Sequence, residues 1–219
     1  MPSLDTLHII EQELAPYDAR LIAVSKTRSL AEIQEVYDAD QRLFGENRVQ
    51  EMREKHPALP EDIEWHAIGH LQSNKVKYIA PYISLIHSVE SEDLLKEINK
   101  RAEQNDRVID VLLQMHIATE SSKFGMDERE LNNLIELSQA DDFANIRVCG
   151  LMGMATFTDD AKQVRKEFKA LRKIFDRVKG AYYSGDEHFK EVSMGMSGDY
   201  MIALEEGSTM VRIGSLIFG

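Results

Sequence analysis

The sequence predicts an α/β protein built as a single (β/α)8 barrel of the TIM type, and three observations predict it. Short apolar segments alternate with amphipathic helix patterns eight times along 219 residues, which is the βαβ rhythm of a parallel sheet. That length suits one large domain, residues 1–219, with an ample core. The last two strand candidates each run into a turn rich in Gly and Ser, where barrels of this kind commonly hold a phosphate. The rival architecture with the same alternation is an open, doubly wound sheet.

The elements follow in order. Leu4, Leu7, Ile10 and Leu14 recur at helical spacing behind Ser3, a candidate N-cap. Arg20–Ser25 reads as the first strand, with Lys26 at its end. Ser29 and Glu32 form a capping box for the next helix. Arg42–Gly45 is strand two and leads through Glu46-Asn47-Arg48 into a helix; Ile63–Ile68 is strand three, followed by a helix beyond Gly69. Ile83–Ile86 is strand four, and a helix opens at Ser91. Val108–Met115 is strand five, followed by a polar loop and a helix boxed by Asp127 and Glu130. Ile146–Gly150, Phe189–Val192 and Met210–Ile213 complete the set, with the longest helix pattern between the sixth and seventh. The eighth strand ends six residues before Gly219. No eighth helix is expected there, and the N-terminal helix is expected to complete the ring.

Composition narrows the function. A formal net charge of −12 disfavours nucleic acid and anionic membrane as partners, since both attract basic surfaces. A small anion sees only its own pocket and is still allowed. No apolar run approaches the roughly 20 residues of a membrane helix, and the N-terminus has no signal-peptide pattern. A soluble, cytoplasmic protein is expected. The one cysteine, Cys149, lies in an apolar run and reads as a buried strand thiol. The seven histidines show no metal-ligand spacing, and no Ser/His/Asp or Cys/His site can be placed.

In a barrel the chemistry lies at the C-terminal ends of the strands. Lys26 is placed there, where a lysine among apolar neighbours can become a Schiff-base nucleophile. Ser197 can cap the short helix after strand seven and so offer an anion its free N–H groups. Gly214-Ser215 is the matching turn after strand eight, and Arg212 is a fixed cation between the two. Asn47 either contacts a ligand or caps a helix. His66 either contacts a ligand or fills the barrel, as do Met152 and Met154. His70, Gln72, Asn74 and Lys75 form a polar cluster at the third rim loop, and Ser121, Ser122 and Lys123 lie in the loop after strand five.

Seven motifs occur in one order: Ala23-Val-Ser-Lys-Thr27; Phe44-Gly-Glu-Asn-Arg48; His66-x-Ile-Gly-x-Leu-Gln-x-Asn-Lys75; Lys123-Phe-Gly125; Gly150-Leu-Met-Gly-Met154; Ser193-Met-Gly-Met-Ser-x-Asp199; and Val211-Arg-Ile-Gly-Ser215. Together they resemble the pyridoxal-phosphate (PLP) homeostasis protein family. The resemblance covers nearly the whole chain. It implies a fold-type III barrel similar to the N-terminal domain of alanine racemase, with PLP held as a Schiff base on Lys26. It also implies Arg212 facing the pyridine nitrogen, Asn47 beside the ring, and Ser193, Ser197, Gly214 and Ser215 around the phosphate. Ser215 stands where many family members have Thr, which keeps the hydroxyl.

The implied function is a PLP carrier or buffer that passes the cofactor to apo-enzymes, as a monomer. An arginine cannot accept a proton, so it favours an unprotonated ring and a weaker electron sink. The alternative is a PLP-dependent amino-acid racemase using His66, Lys75 or Lys123 as a base. It is disfavoured because the racemase's tyrosine-bearing second domain is not expected here. A Schiff-base aldolase acting on a phosphosugar is a more distant third.

Overall fold

The computed structural model describes residues 1–119 and 124–219. Eight parallel strands close in sequence order: β1 (Arg20–Val24), β2 (Leu43–Glu46), β3 (Glu64–Ala67), β4 (Leu85–Val89), β5 (Ile109–Met115), β6 (Ile146–Gly153), β7 (Glu191–Met196) and β8 (Met210–Ile213). The closing pair is β8 on β1, with Arg212 opposite Ile22. Closure leaves no sheet edge to protect and excludes the open doubly wound alternative.

The helices are α1 (Leu4–Leu14), α2 (Leu30–Asp38), α3 (Val49–Lys55), α4 (Glu92–Glu103), α5 (Glu128–Ser138), α6 (Ala161–Tyr182), α7 (Tyr200–Glu205) and α8 (Ser215–Phe218). Local chemistry starts them. Ser29 and Glu32 make a reciprocal capping box on α2, and Asp127 and Glu130 do the same on α5. Ser3 and Ser91 cap α1 and α4. Each long helix then turns one apolar stripe inward, as with Val164, Phe168, Leu171, Phe175 and Val178 of α6.

Two cores result. The larger lies between the barrel and the helices. The smaller fills the barrel with Ile22, Leu85, Leu112, Cys149, Met152 and Met210. Met152 is therefore a filler, as is Cys149, whose thiol burial pushes up to about 12.

Several elements differ from expectation. Ile83 is not in a strand: its N–H closes a turn on the Ile79 carbonyl, and β4 begins two residues later and runs on to Val89. The segment after β3 is a 3-10 turn, Ser73–Tyr78, rather than an α-helix. β7 continues to Met196, which Gly195 permits with φ +95°; a Cβ there would lie 2.6 Å from Ala203 Cβ. A helix does follow β8, although it is a single turn. α1 lies against it, with the Ser3 N–H on the Ile217 carbonyl at 2.7 Å, so the N-terminal helix covers the gap as expected.

Leu7 of α1 is 2% exposed and seals this side of the barrel. Leu7→Ala is expected to cost about 2–5 kcal/mol of stability. Urea unfolding should show a lower midpoint with an unchanged slope.

Candidate functional site

The C-terminal ends of the strands surround a cavity of about 570 Å³. Its wall carries Lys26 after β1, Asn47 after β2, Ile68, Gly69 and His70 after β3, Gln114 of β5 and Met154 after β6. The turn Ser197-Gly198 follows β7, and Arg212, Gly214 and Ser215 close the ring from β8. Six of the seven expected site residues thus share one cavity: Lys26, Asn47, Ser197, Arg212, Gly214 and Ser215.

Lys26 stands on a clamped turn. The Ser25 N–H donates to the Gly45 carbonyl at 3.0 Å, and its hydroxyl donates to Glu46 Oε1 at 2.6 Å. Lys55 Nζ donates to the Ser25 carbonyl at 2.8 Å and to Glu46 Oε1 at 2.6 Å. Thr27 takes a left-handed φ of +63°, and its N–H donates to Glu51 Oε2 at 2.6 Å. The backbone is therefore fixed on both sides of Lys26, while its side chain stays exposed in the cavity. Burial pushes the Glu46 carboxyl up, against the opposing pull of Lys55 and Ser25.

Arg212 forms the floor and is 4% exposed. Its Nη1 donates to Ser193 Oγ at 2.5 Å and its Nη2 to the Gly153 carbonyl at 3.2 Å. Burial lowers its pKa to about 10, with the Asp199 carboxylate pulling the other way, so it keeps its charge at neutral pH. Beneath it runs a buried chain. Ser193 Oγ meets His87 Nδ1 at 2.9 Å, and His87 Nε2 meets His66 Nδ1 at 2.9 Å.

Counting donors assigns the protons along this chain. Arginine only donates, so the Ser193 hydroxyl accepts from it and donates its O–H to His87 Nδ1. His87 then carries its proton on Nε2 and donates to His66. Both rings are neutral. Burial pushes His66 down to about 3 and, with the neighbouring His66 and Arg212, holds His87 well below its usual range.

Three expectations change here. Ser193 does not line the cavity: β7 extends past it, and it sits mid-strand beneath Arg212. Ser197 is not the cap of α7. Asp199 holds that position, its carboxylate accepting the Met196 N–H at 2.6 Å. Asn47 does not cap α3, where Arg48 is the boundary residue. Instead Asn47 is pressed against Gly69, where a Cβ would lie 2.6 Å from the Asn47 carbonyl oxygen.

His66 is part of the barrel filling and hydrogen-bonded. His70 reaches the rim, with Nδ1 3.0 Å from Glu90 Oε1 and its ring stacked on Phe124. Gln72 and Lys75 line an adjoining cleft rather than the cavity. Ser121, Ser122 and Lys123 lie outside the described residues. Sequence reasoning missed His87, Glu46, Lys55 and Gln114. The signal for His87 was a histidine inside the apolar run Leu85–Val89, where a strand residue must be paired or pay for burial.

Two measurements test this account. Lys55→Met leaves the Glu46 carboxylate buried without its cation and is expected to cost about 3–5 kcal/mol. Adding Glu46→Gln should recover part of that loss in urea unfolding. For His66 and His87, the folded pKa values lie below the unfolded value of about 6.5. The unfolded chain therefore binds the extra protons as pH falls, and stability drops below pH about 6.5. Together they should remove about 3 kcal/mol between pH 6.5 and 5. Their ring proton resonances should stay unshifted over that range in the folded protein, whereas titration of both near pH 6.5 would refute the buried chain.

Comparison with known proteins agrees with this geometry. The family model for the alanine racemase N-terminal domain matches residues 6–219. The pyridoxal phosphate homeostasis protein of Aquifex aeolicus is 41% identical over 202 residues, spanning 92% of this chain and 86% of that protein. Its namesake in Pasteurella multocida is 35% identical over 97% of this chain and 91% of its own length. PipY of Synechococcus elongatus, solved with PLP bound, superposes with a TM-score of 0.87 at 34% identity, covering 98% of this chain and 99% of PipY. Alanine racemase of Clostridium difficile has the same fold at 16% identity and a TM-score of 0.77, with 56% of its length covered. The chain belongs to the alanine racemase N-terminal domain family and, within it, to the pyridoxal phosphate homeostasis proteins.

Proposed function

We propose that this chain is a carrier and buffer of pyridoxal 5′-phosphate, held covalently through the Lys26 amine. The observation that carries the reading is a buried guanidinium and a lysine amine in one cavity. Arg212 uses two of its five N–H groups on Ser193 and Gly153. The rest of its donor capacity suits a lone pair such as that of an unprotonated pyridine nitrogen. Among the described residues lining the cavity, Lys26 is the one lysine. Ser197, Gly198, Gly214 and Ser215 bring hydroxyls and close-approaching backbone from two neighbouring strands, as a phosphate requires. Gly214 has little spare space: a Cβ there would lie 3.0 Å from the Val24 carbonyl oxygen.

When bound, the cofactor supplies a reactive aldehyde and an electron-withdrawing ring. Lys26 would present the amine from a clamped turn, and Asn47 would border the ring. Arg212 would hold the ring nitrogen without giving it a proton, which would keep the electron sink weak. Ser193 acts one step away by orienting Arg212. Racemisation would need a base in the same cavity. Of the three candidate bases, His66 lies under the floor, bonded to His87, Lys75 belongs to the adjoining cleft, and Lys123 lies outside the described residues. Storage and delivery are the reading favoured by the likeness to PLP homeostasis proteins. We take residues 1–219 as one cofactor-binding domain, acting in the cytoplasm as a monomer with apo PLP enzymes as recipients.

The test is a visible spectrum of the PLP-loaded protein before and after borohydride, with peptide mapping. A band that borohydride bleaches, with the label on Lys26 and its loss in Lys26→Ala, is the expected result. Transfer to an apo-enzyme in the presence of a PLP trap should exceed the rate of free release. Labels scattered over surface lysines, or transfer no faster than release, would overturn the reading.

A further inference from the structure

Beside the Lys26 cavity lies a cleft of about 230 Å³ between α3 and the 3-10 turn Ser73–Tyr78. The two share a wall made of Asn47 and His70. Arg48, Arg53 and Lys75 line the cleft, and no carboxylate does. The cleft thus gathers three cations and no acid in a chain of net charge −12. None of the three forms an ion pair among the described residues. The nearby acids have other hydrogen-bond donors: Glu51 accepts from Thr27 and Lys55, with Arg48 acting on it only through its charge, and Glu90 accepts from His70.

The floor is aromatic. The Arg53 guanidinium lies 4.2 Å from the Tyr78 ring centroid, and Lys75 Nζ lies 5.9 Å from it. The Gln50 and Gln72 amides add neutral donors at the edge. We propose that this cleft is a second, non-covalent anion site, taking a phosphate monoester on a flat ring. Three cations match a dianion better than a single carboxylate, because each adds to the same local field. The Tyr78 face and the guanidinium stacked on it suit a ring edge-on or stacked. The volume suits one small molecule.

The inference deepens the carrier reading and rests on it for its purpose: a second molecule of the cofactor's chemical class would wait one wall away from Lys26. Its existence as an anion site does not depend on that reading.

The experiment uses full-length protein whose Lys26 cavity has been filled with PLP and fixed by borohydride. Phenyl phosphate, which has no aldehyde, is titrated calorimetrically, with inorganic phosphate and succinate as separate arms. The expected result is one equivalent of phenyl phosphate, bound more tightly than either comparator. The affinity should weaken at least tenfold in the variant Arg48→Gln/Arg53→Gln/Lys75→Gln, whose thermal midpoint and PLP loading should stay at wild-type values. These side chains are exposed or half-buried, so their removal spares the core.

No binding to the filled protein, or binding that survives the triple substitution, overturns the site. Succinate binding as tightly as phenyl phosphate overturns the assignment to a phosphate ester. Should PLP fail to attach at Lys26, the carrier reading falls and the comparison is run on the unfilled protein. There the triple substitution must still remove one equivalent of phenyl phosphate, and if it does not the cleft falls too.

Discussion

A guanidinium enclosed in a barrel must be solvated by the protein itself, because a buried ion left without partners would cost several kcal/mol. Arg212 is such a group, and the upper half of the barrel is arranged around it. β7 places a serine hydroxyl under one amino group, and β6 turns a carbonyl to the other. Two histidines are kept neutral so that they add dipoles rather than competing charge. Below this layer the interior becomes apolar, with Ile22, Leu85, Leu112, Cys149 and Met210.

Lys26 is handled in the opposite way. Its amine is exposed and only its backbone is fixed. The fixing charges lie deeper, where Lys55 and Glu46 pair and the second carboxylate oxygen of Glu46 is buried without a protein hydrogen-bond partner. A buried pair of this kind contributes little net stability but defines one arrangement. The turn that carries Lys26 is part of that arrangement, through the Ser25 carbonyl and the Thr27 N–H. One cavity thus joins a permanently oriented cation to a lysine whose base is rigid and whose tip is free.

Much of this was legible in the sequence. β8 reads correctly to the residue because Met210–Ile213 is a compact apolar run between turn residues. Ser29/Glu32 and Asp127/Glu130 were legible because capping is local chemistry. Lys26 and Arg212 could be placed at the rim once eight strands were counted, since a barrel puts strand ends on one face. Long-range partnership was not legible. Ser193 reads as part of a glycine-rich turn because its meaning depends on Arg212, on the neighbouring strand, and on His87, 106 residues away. β4 was shifted because Ile83 is as apolar as the strand it precedes, and only its bond to Ile79 makes it a turn. Lys55 carries no signal in the sequence, because its partners Glu46 and Ser25 come within reach of it only in the fold.

Cys149 gives the barrel interior a built-in clock. It is the chain's one cysteine, packed with the inner residues of neighbouring strands, and burial keeps its thiol protonated at neutral pH. The thiolate is the form that reacts with alkylating reagents and oxidants. Cys149 is 6% exposed and borders a small pocket at the N-terminal ends of the strands, so in the closed barrel a thiol reagent meets a protonated, largely covered sulfur. Any increase in the rate at which the reagent consumes it reports loosening of the barrel, without a label or an engineered probe. A ligand that tightens the barrel slows that rate, so occupancy of the rim can be followed from the reactivity of an atom in the core.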